Sequence, residues 1–254
     1  KYASGALGTD SSGEGNNMAV SGTMTPTKDN AMNNFCTMNP LDNYFPASTF
    51  SYGNTRVASH QGNYTSNTAT MAVSTGKWYY EMKNTGEGTL GSGRCGWNAI
   101  IATSSDNQSP GLLTPSVGLE FNAGNKIVDG TSTSYGSAIS VGDIIRCAID
   151  VDNNKAWFGN DAGWFASGDP AAGTNAITIS APTTGSGMGA YSPSFGDQDD
   201  TYTGYIGDFN FGNGYFGTTV VASAVADGNG EGQFEFTPPT GFFALCTNNL
   251  GSDS

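Results

Sequence analysis

From residue 35 onward the chain sets runs of aromatic and β-branched residues between Gly, Asn and Pro breaks. The breaks recur about every 8 to 12 residues, the rhythm of short antiparallel strands. FCTMNPLDNYF, TFSYGNTRVAS, NYTSNTATMAV and STGKWYYEMKN follow one another in this way. Helix is disfavoured at the same time. Gly, Ser, Thr and Asn fill 115 of the 254 positions, and the chain has only six Lys and three Arg. One stretch, 219–226 (TVVASAVA), carries a pattern for a turn or two of helix, weakened by its own valines. No run of about 18 apolar residues occurs, so a spanning helix is excluded. Fourteen Phe, eleven Tyr and four Trp can bury a core, which separates the chain from disordered sequences of similar polarity. The class expected is all-β: an antiparallel β-sandwich of jelly-roll type with long loops. One domain, 35–254, is expected after an extended arm, 1–34, whose apolar anchors are Leu7, Met18, Val20 and Met24. With Lys1 first and no signal-like segment, the chain reads as a processed product or part of a longer polypeptide.

Several strands are individually legible. In KWYYE, Trp78 and Tyr80 share one face while Tyr79 and Glu81 take the other. GWNAIIATSS reads as a mostly buried strand, and SVGLEFNAGNKIVDG as a hairpin around Asn122-Ala123-Gly124-Asn125. VGDIIRCAIDVDNNKAWFGN is the strongest local signal. Strands over 144–151 and 155–158 flank Asp152-Asn153-Asn154, and Asn tolerates positive φ. YIGDFNFGNGYF and QFEFTPP supply further strands, and GFFALCTNNL closes the unit. Loops are expected near 84–95, 103–109, 130–138 and 183–200.

The net charge is −13, with nine basic residues scattered singly against 22 acidic ones. A nucleic-acid surface needs clustered Lys and Arg, so that partner class is excluded. The acidic, hydroxyl-rich composition suits a secreted, cell-surface or virion protein. Cys36, Cys95, Cys147 and Cys246 have no CxxC spacing and only one His beside them, which argues against structural zinc. Cys147 reads as a buried small hydrophobe. Cys36 and Cys246 sit in similar settings near the two ends, where neighbouring terminal strands would let them pair.

GKWYYEMKN, VGDIIRCAIDVDNNKAWFGN, DFNFGNGYF and PPTGFFALCTNNL fall in an order and spacing that resembles a SPRY-type domain. That family is a concanavalin-like sandwich of two curved antiparallel sheets. DSSGEGNNM, NNFCTMNPLDNY, SGDPAAGTNA and ALCTNN add a resemblance to the SPRY-bearing proteins of marine tailed phages. The resemblance implies a non-enzymatic virion protein: a tail fibre, head fibre or decoration protein at the particle surface. Its implied partners are other virion proteins or a host cell-surface glycan. One departure is TTVVASAVADGNGEGQ between Phe216 and Phe234, longer than a plain SPRY hairpin needs.

The residues themselves offer few catalytic groups. His60 lies in a predicted turn without a GxSxG partner, a poor base for a nucleophile. Glu231 and Glu235, or Asp150 and Asp152, have the spacing of paired carboxylates on one strand face. The Glu-x-Asp-x-x-Glu pattern of concanavalin-like glucanases is absent, and Glu235 alternates with Phe234 and Phe236 as a solvent-facing residue would. No cofactor is expected, with one exception: Asp197, Asp199 and Asp200 pack three carboxylates into four positions, a candidate calcium loop. Asp227-Gly-Asn229-Gly-Glu231 resembles a shorter one. Trp78, Trp97 and Trp157 read as core. Trp164 sits among turn residues, and Tyr191 and Tyr202 flank the acidic loop. Trp164, Tyr191 and Tyr202, with Asp199 as a hydrogen-bonding group, form a candidate glycan platform; the bland alternative is that these rings staple loops to the sandwich. Exposed edge strands make a homo-oligomer the expected assembly. The rival functions are a secreted bacterial carbohydrate-binding or adhesin module and a sandwich glycosidase or lyase.

Overall fold

The strands run in chain order β1 (Thr49–Ser51), β2 (Arg56–Ala58), β3 (Thr65–Thr68), β4 (Lys77–Gly86), β5 (Gly93–Asn98) and β6 (Ser116–Glu120). Next come β7 (Lys126–Val128), β8 (Thr131–Thr133), β9 (Ile144–Asp150), β10 (Lys155–Asn160), β11 (Gly163–Trp164) and β12 (Ile177–Thr178). The series ends with β13 (Ser192–Asp197), β14 (Ile206–Asn210), β15 (Tyr215–Phe216), β16 (Thr219–Val220) and β17 (Phe243–Ala244), followed by one helical turn, α1 (Thr247–Leu250). The computed structural model describes residues 8–10, 12–21, 28–43, 48–59, 64–87, 92–103, 108–198 and 204–251.

Two sheets form the sandwich. The larger has the order β1-β2-β14-β4-β9-β10-β11, with β12 also on β10 and β17 on β4. The smaller has the order β3-β13-β5-β6-β7-β8. Pairing is antiparallel throughout the two sheets except between β17 and β4, which run parallel with Phe243 beside Trp78. The predicted all-β sandwich is the fold observed. Both strong hairpins appear as read: Asp150 pairs with Lys155 across a turn with Asn154 at φ 52°, and Leu119 pairs with Lys126.

The alternation in β4 explains the layering. Trp78, Tyr80 and Met82 face the smaller sheet and pack with Trp97, Phe195, Phe209 and Phe211 in the main core. Tyr80 and Trp97 meet edge to face at 5.0 Å. Tyr79 faces the other way into a second core with Ala148, Trp157, Phe234 and Phe242. The larger sheet is therefore buried on both faces. Its outer face is covered by the chain near Phe35 and by the segment from Phe234 to Cys246, which approach from opposite ends of the sequence. These two covers also hold each other: the Cys36 N–H donates to the Leu245 carbonyl at 2.8 Å, and that of Thr247 to the Asn34 carbonyl at 3.0 Å.

That pairing separates Cys36 from Cys246. Phe35, not Cys36, stands opposite Cys246, so Cys36 points into the main core and Cys246 into the outer one. Neighbouring strands alone do not place two thiols on one face, and all four cysteines are free and buried.

Other expectations are corrected. The strand read at 96–105 is displaced toward the N-terminus, as β5, and Ile101 is 45% exposed. The segment 130–138, read as loop, contains β8, joined to β7 through Asp129 (φ 48°) and Gly130 (φ 83°). Residues 219–226 form β16 and irregular chain instead of helix, in keeping with their valines. QFEF is no strand; it makes one bridge, Phe234 to Val225, and then gives its next two amide protons to a side chain.

Candidate functional site

Trp164 lines a cleft beside β11. β10 turns at Asp161 and Ala162 and returns as β11, with Asn160 opposite Gly163. This carries Trp164 to the rim of the outer core, half-buried, with Tyr79 edge-on at 6.3 Å. Arg146 lies over the indole at 5.3 Å and donates Nε and Nη2 to the Asn160 carbonyl at 2.9 and 2.6 Å. The adjoining cleft, about 380 Å³, is lined by Tyr135, Ser137, Asn160, Trp164, Phe165 and neighbouring small residues. Burial pushes the Tyr135 hydroxyl up to about 12, so it stays neutral there. Arg146→Ala removes two hydrogen bonds and two cation–π contacts, with Trp164 and Phe236, and an expected loss of about 1–2 kcal/mol should appear in a urea titration. Arg146→Lys should recover only part of it, because an ammonium cannot reproduce the fork of donors.

The other members of the predicted platform are elsewhere. Tyr191 is fully buried in the main core, and its hydroxyl donates to the Ser180 carbonyl at 2.7 Å. It presents no ring face to a ligand, and the larger sheet stands between it and the outer core that Trp164 borders. Its core position follows from the Val73–Tyr191 bridge, a long-range pairing. Tyr202, Asp199 and Asp200 lie outside the described residues, as does His60. Asp197 is buried in β13, where its carboxylate accepts from Ser59 Oγ at 2.5 Å and Thr65 Oγ1 at 3.1 Å. Among the described residues, no cluster of three His, Cys, Asp or Glu has the geometry of a metal site.

The carboxylates singled out for hydrolysis hold loops in place. Asp150 accepts from the Asn153 backbone and side chain and pairs with Lys77 at 3.6 Å. Asp152 accepts from the Gly76 N–H, Glu231 from the amides of Asn33 and Asn248, and Glu235 from the Ala222 N–H. Asp227 takes the N–H groups of Asn229, Glu231 and Ala244 and the Asn249 amide, a knot tying the long insertion to β17 and α1. Glu81 is fully buried on the outer face of β4. It accepts from Tyr79 Oη, Asn210 Nδ2 and the N–H groups of Glu235 and Phe236, all within 2.8–3.1 Å. Burial pushes it up to about 7, against the pull of those donors. The inserted segment is thus a strap fastened by Glu81 and Asp227.

The second cleft was not anticipated. It encloses about 710 Å³ between the chain at 29–37, the β1–β2 turn and the stretch 213–218. Tyr52, 48% exposed, and Tyr215 line it with Asp29, Asn34, Thr37 and Asn213. Behind it, Arg56 is gripped by Asp208 through Nε at 2.5 Å and Nη2 at 2.6 Å, and its Cζ sits 4.6 Å from the Tyr52 ring centroid. A signal for both clefts exists in the sequence: an aromatic-Gly-Asn triplet occurs at 52–54, 158–160 and 211–213. Each triplet supplies lining residues, namely Tyr52 and Gly53, Asn160, and Asn213.

Among solved structures, the chain matches the SPRY domain of human HERC1 at 13% identity, over 68% of this chain and 96% of that one, with a TM-score of 0.50. A second human SPRY domain aligns at 17% identity over 64% of this chain and 93% of its own, with a TM-score of 0.46. The first likeness shows the fold, a SPRY-type sandwich. No protein-family model matches the chain, and no curated protein matches it.

Proposed function

We propose that this SPRY-type sandwich is a non-enzymatic recognition protein carried on the surface of a phage particle, as a tail fibre, head fibre or decoration protein. Its activity is binding, either to a host-surface glycan or to another virion protein. The observation that carries the binding role is the pair of open clefts built from loop residues on a rigid two-sheet frame. Among the described residues, Asp29 is the one carboxylate lining these two clefts, whereas glycoside hydrolysis uses a pair. The virion setting rests on the joint order of the motifs from DSSGEGNNM to ALCTNN. Pairing of copies along an edge such as β8, whose three residues are exposed, would give the oligomer that particle proteins form.

Cross-linking mass spectrometry of purified particles tests this reading. The expected result is cross-links from this chain to capsid or tail proteins and to copies of itself. Absence of the chain from particles, with its recovery in a bacterial secreted fraction, favours the adhesin alternative. Release of reducing ends from polysaccharide by the purified protein would make it an enzyme.

A further inference from the structure

The 710 Å³ cleft has a wall with polar capacity that the fold leaves unused. Asn213 is 7% exposed, and its side-chain carbonyl oxygen is buried without a hydrogen-bond donor. Asn210, three residues earlier, shows the contrast: its Oδ1 accepts from Gly212 and Gly214, and its Nδ2 donates to Glu81 and the Gln233 carbonyl. A buried amide oxygen without a donor is destabilising, and such groups are uncommon in folded chains. Here the unpaired oxygen is itself enclosed, but it belongs to a residue that lines an open cleft beside two tyrosines, where a turn of the amide would bring it to a ligand.

The lining narrows the chemistry of what fits. Tyr52 and Tyr215 offer apolar ring faces with polar tips. Asn34, Asn213, Thr37 and Thr55 offer neutral hydrogen-bonding groups. Among the described residues, no lining residue is Lys or Arg, and the nearby Arg56 is committed to Asp208, which also keeps its guanidinium firmly charged. Asp29 adds a negative charge, so anionic ligands are disfavoured. An extended peptide adding as a strand needs a straight edge. These walls are turns instead, with Tyr52, Gly53 and Gly217 at φ 51°, 66° and 60°.

We infer that this cleft binds a neutral carbohydrate, with a pyranose face against Tyr52 or Tyr215 and ring hydroxyls hydrogen-bonded to Asn213 and Asp29. The assignment rests on the recognition role and names its ligand class and site. Isothermal titration of the whole chain with neutral hexasaccharides of glucose, mannose and galactose, each beside its sulfated form, tests it. At least one neutral sugar should bind and its sulfated form should not. Tyr52→Ala and Tyr215→Ala should each weaken binding at least ~10-fold while the chain stays folded, with a small fall in Tm for Tyr52→Ala, which also gives up its contact with Arg56. Preference for sulfated sugars, full binding by both tyrosine variants, or loss on Trp164→Ala alone would overturn it. Binding of no sugar by a chain that still cross-links to particle proteins removes the carbohydrate role and leaves the virion role. Tyrosine-dependent sugar binding by a chain absent from particles does the reverse.

Discussion

Glu81→Ala is expected to destabilise the protein by about 3–5 kcal/mol, the range for removing the centre of a buried polar network. The carboxylate is fully buried and answers four donors, two of them backbone N–H groups of the strap at Glu235 and Phe236. Alanine leaves Tyr79 Oη and the two strap N–H groups without their acceptor and leaves Asn210 Nδ2 only its bond to the Gln233 carbonyl. Glu81→Gln keeps the shape but turns an N–H₂ toward groups that donate, so about 1–3 kcal/mol should still be lost. The two variants differ from the parent in pH dependence as well. The native carboxyl titrates near 7, whereas unfolded Glu titrates near ~4.3. Between those values the native state holds the extra proton, so this residue's contribution to stability is greatest below about pH 4.3 and falls as pH rises toward 7. Urea midpoints across that window, parent minus Glu81→Gln, should show a downward slope that flattens above 7. A difference independent of pH would refute the assignment.

Trp157→Ala should cost about 3–5 kcal/mol, the cost of a large cavity in a close-packed layer. Trp157 is fully buried on the outer face of the larger sheet, meets Phe242 edge to face at 5.9 Å, and donates Nε1 to the Thr174 carbonyl at 2.9 Å. Trp157→Phe keeps most of the packing and gives up the hydrogen bond, so about 1 kcal/mol is expected. Denaturant titration separates the two. An alanine variant within 1 kcal/mol of the parent would mean that the outer core adds little to folding.

The hairpins were legible because their cause is local. Asn153-Asn154 and the Gly and Asn of 122–125 favour turns whatever surrounds them. The burial of β4 on both faces was only half legible: its alternation was plain, but the cover over Tyr79 and Glu81 comes from residues near 35 and 234–246. Glycine misled for a similar reason. Gly196, in a stretch read as loop, lies inside β13, where a Cβ would come within 1.8 Å of the Thr65 carbonyl oxygen; Gly96, read as strand, is as close, 2.0 Å, to that of Val117. Their absence of a side chain serves close backbone packing, not a turn. At the candidate site, Trp164 was recognisable because it stands outside the strand pattern. The arm-side cleft carries only the weaker signal of the triplets at 52–54 and 211–213, since the tertiary fold alone joins residues 29–37, 52–55 and 213–218.

The antiparallel contact between 34–36 and 245–247 has a mechanical consequence. The chain enters the body at Asn33 and leaves it past the α1 turn, with Asn33 and Asn248 both held by Glu231, so tension on the two flanking segments strips those side-chain bonds and then opens the contact one hydrogen bond at a time. The load falls first on the outer cover and reaches the larger sheet where the cover joins it, at the pairing of β17 with β4. A body whose entry and exit adjoin in this way can also be spliced into a larger polypeptide with little distortion of its host.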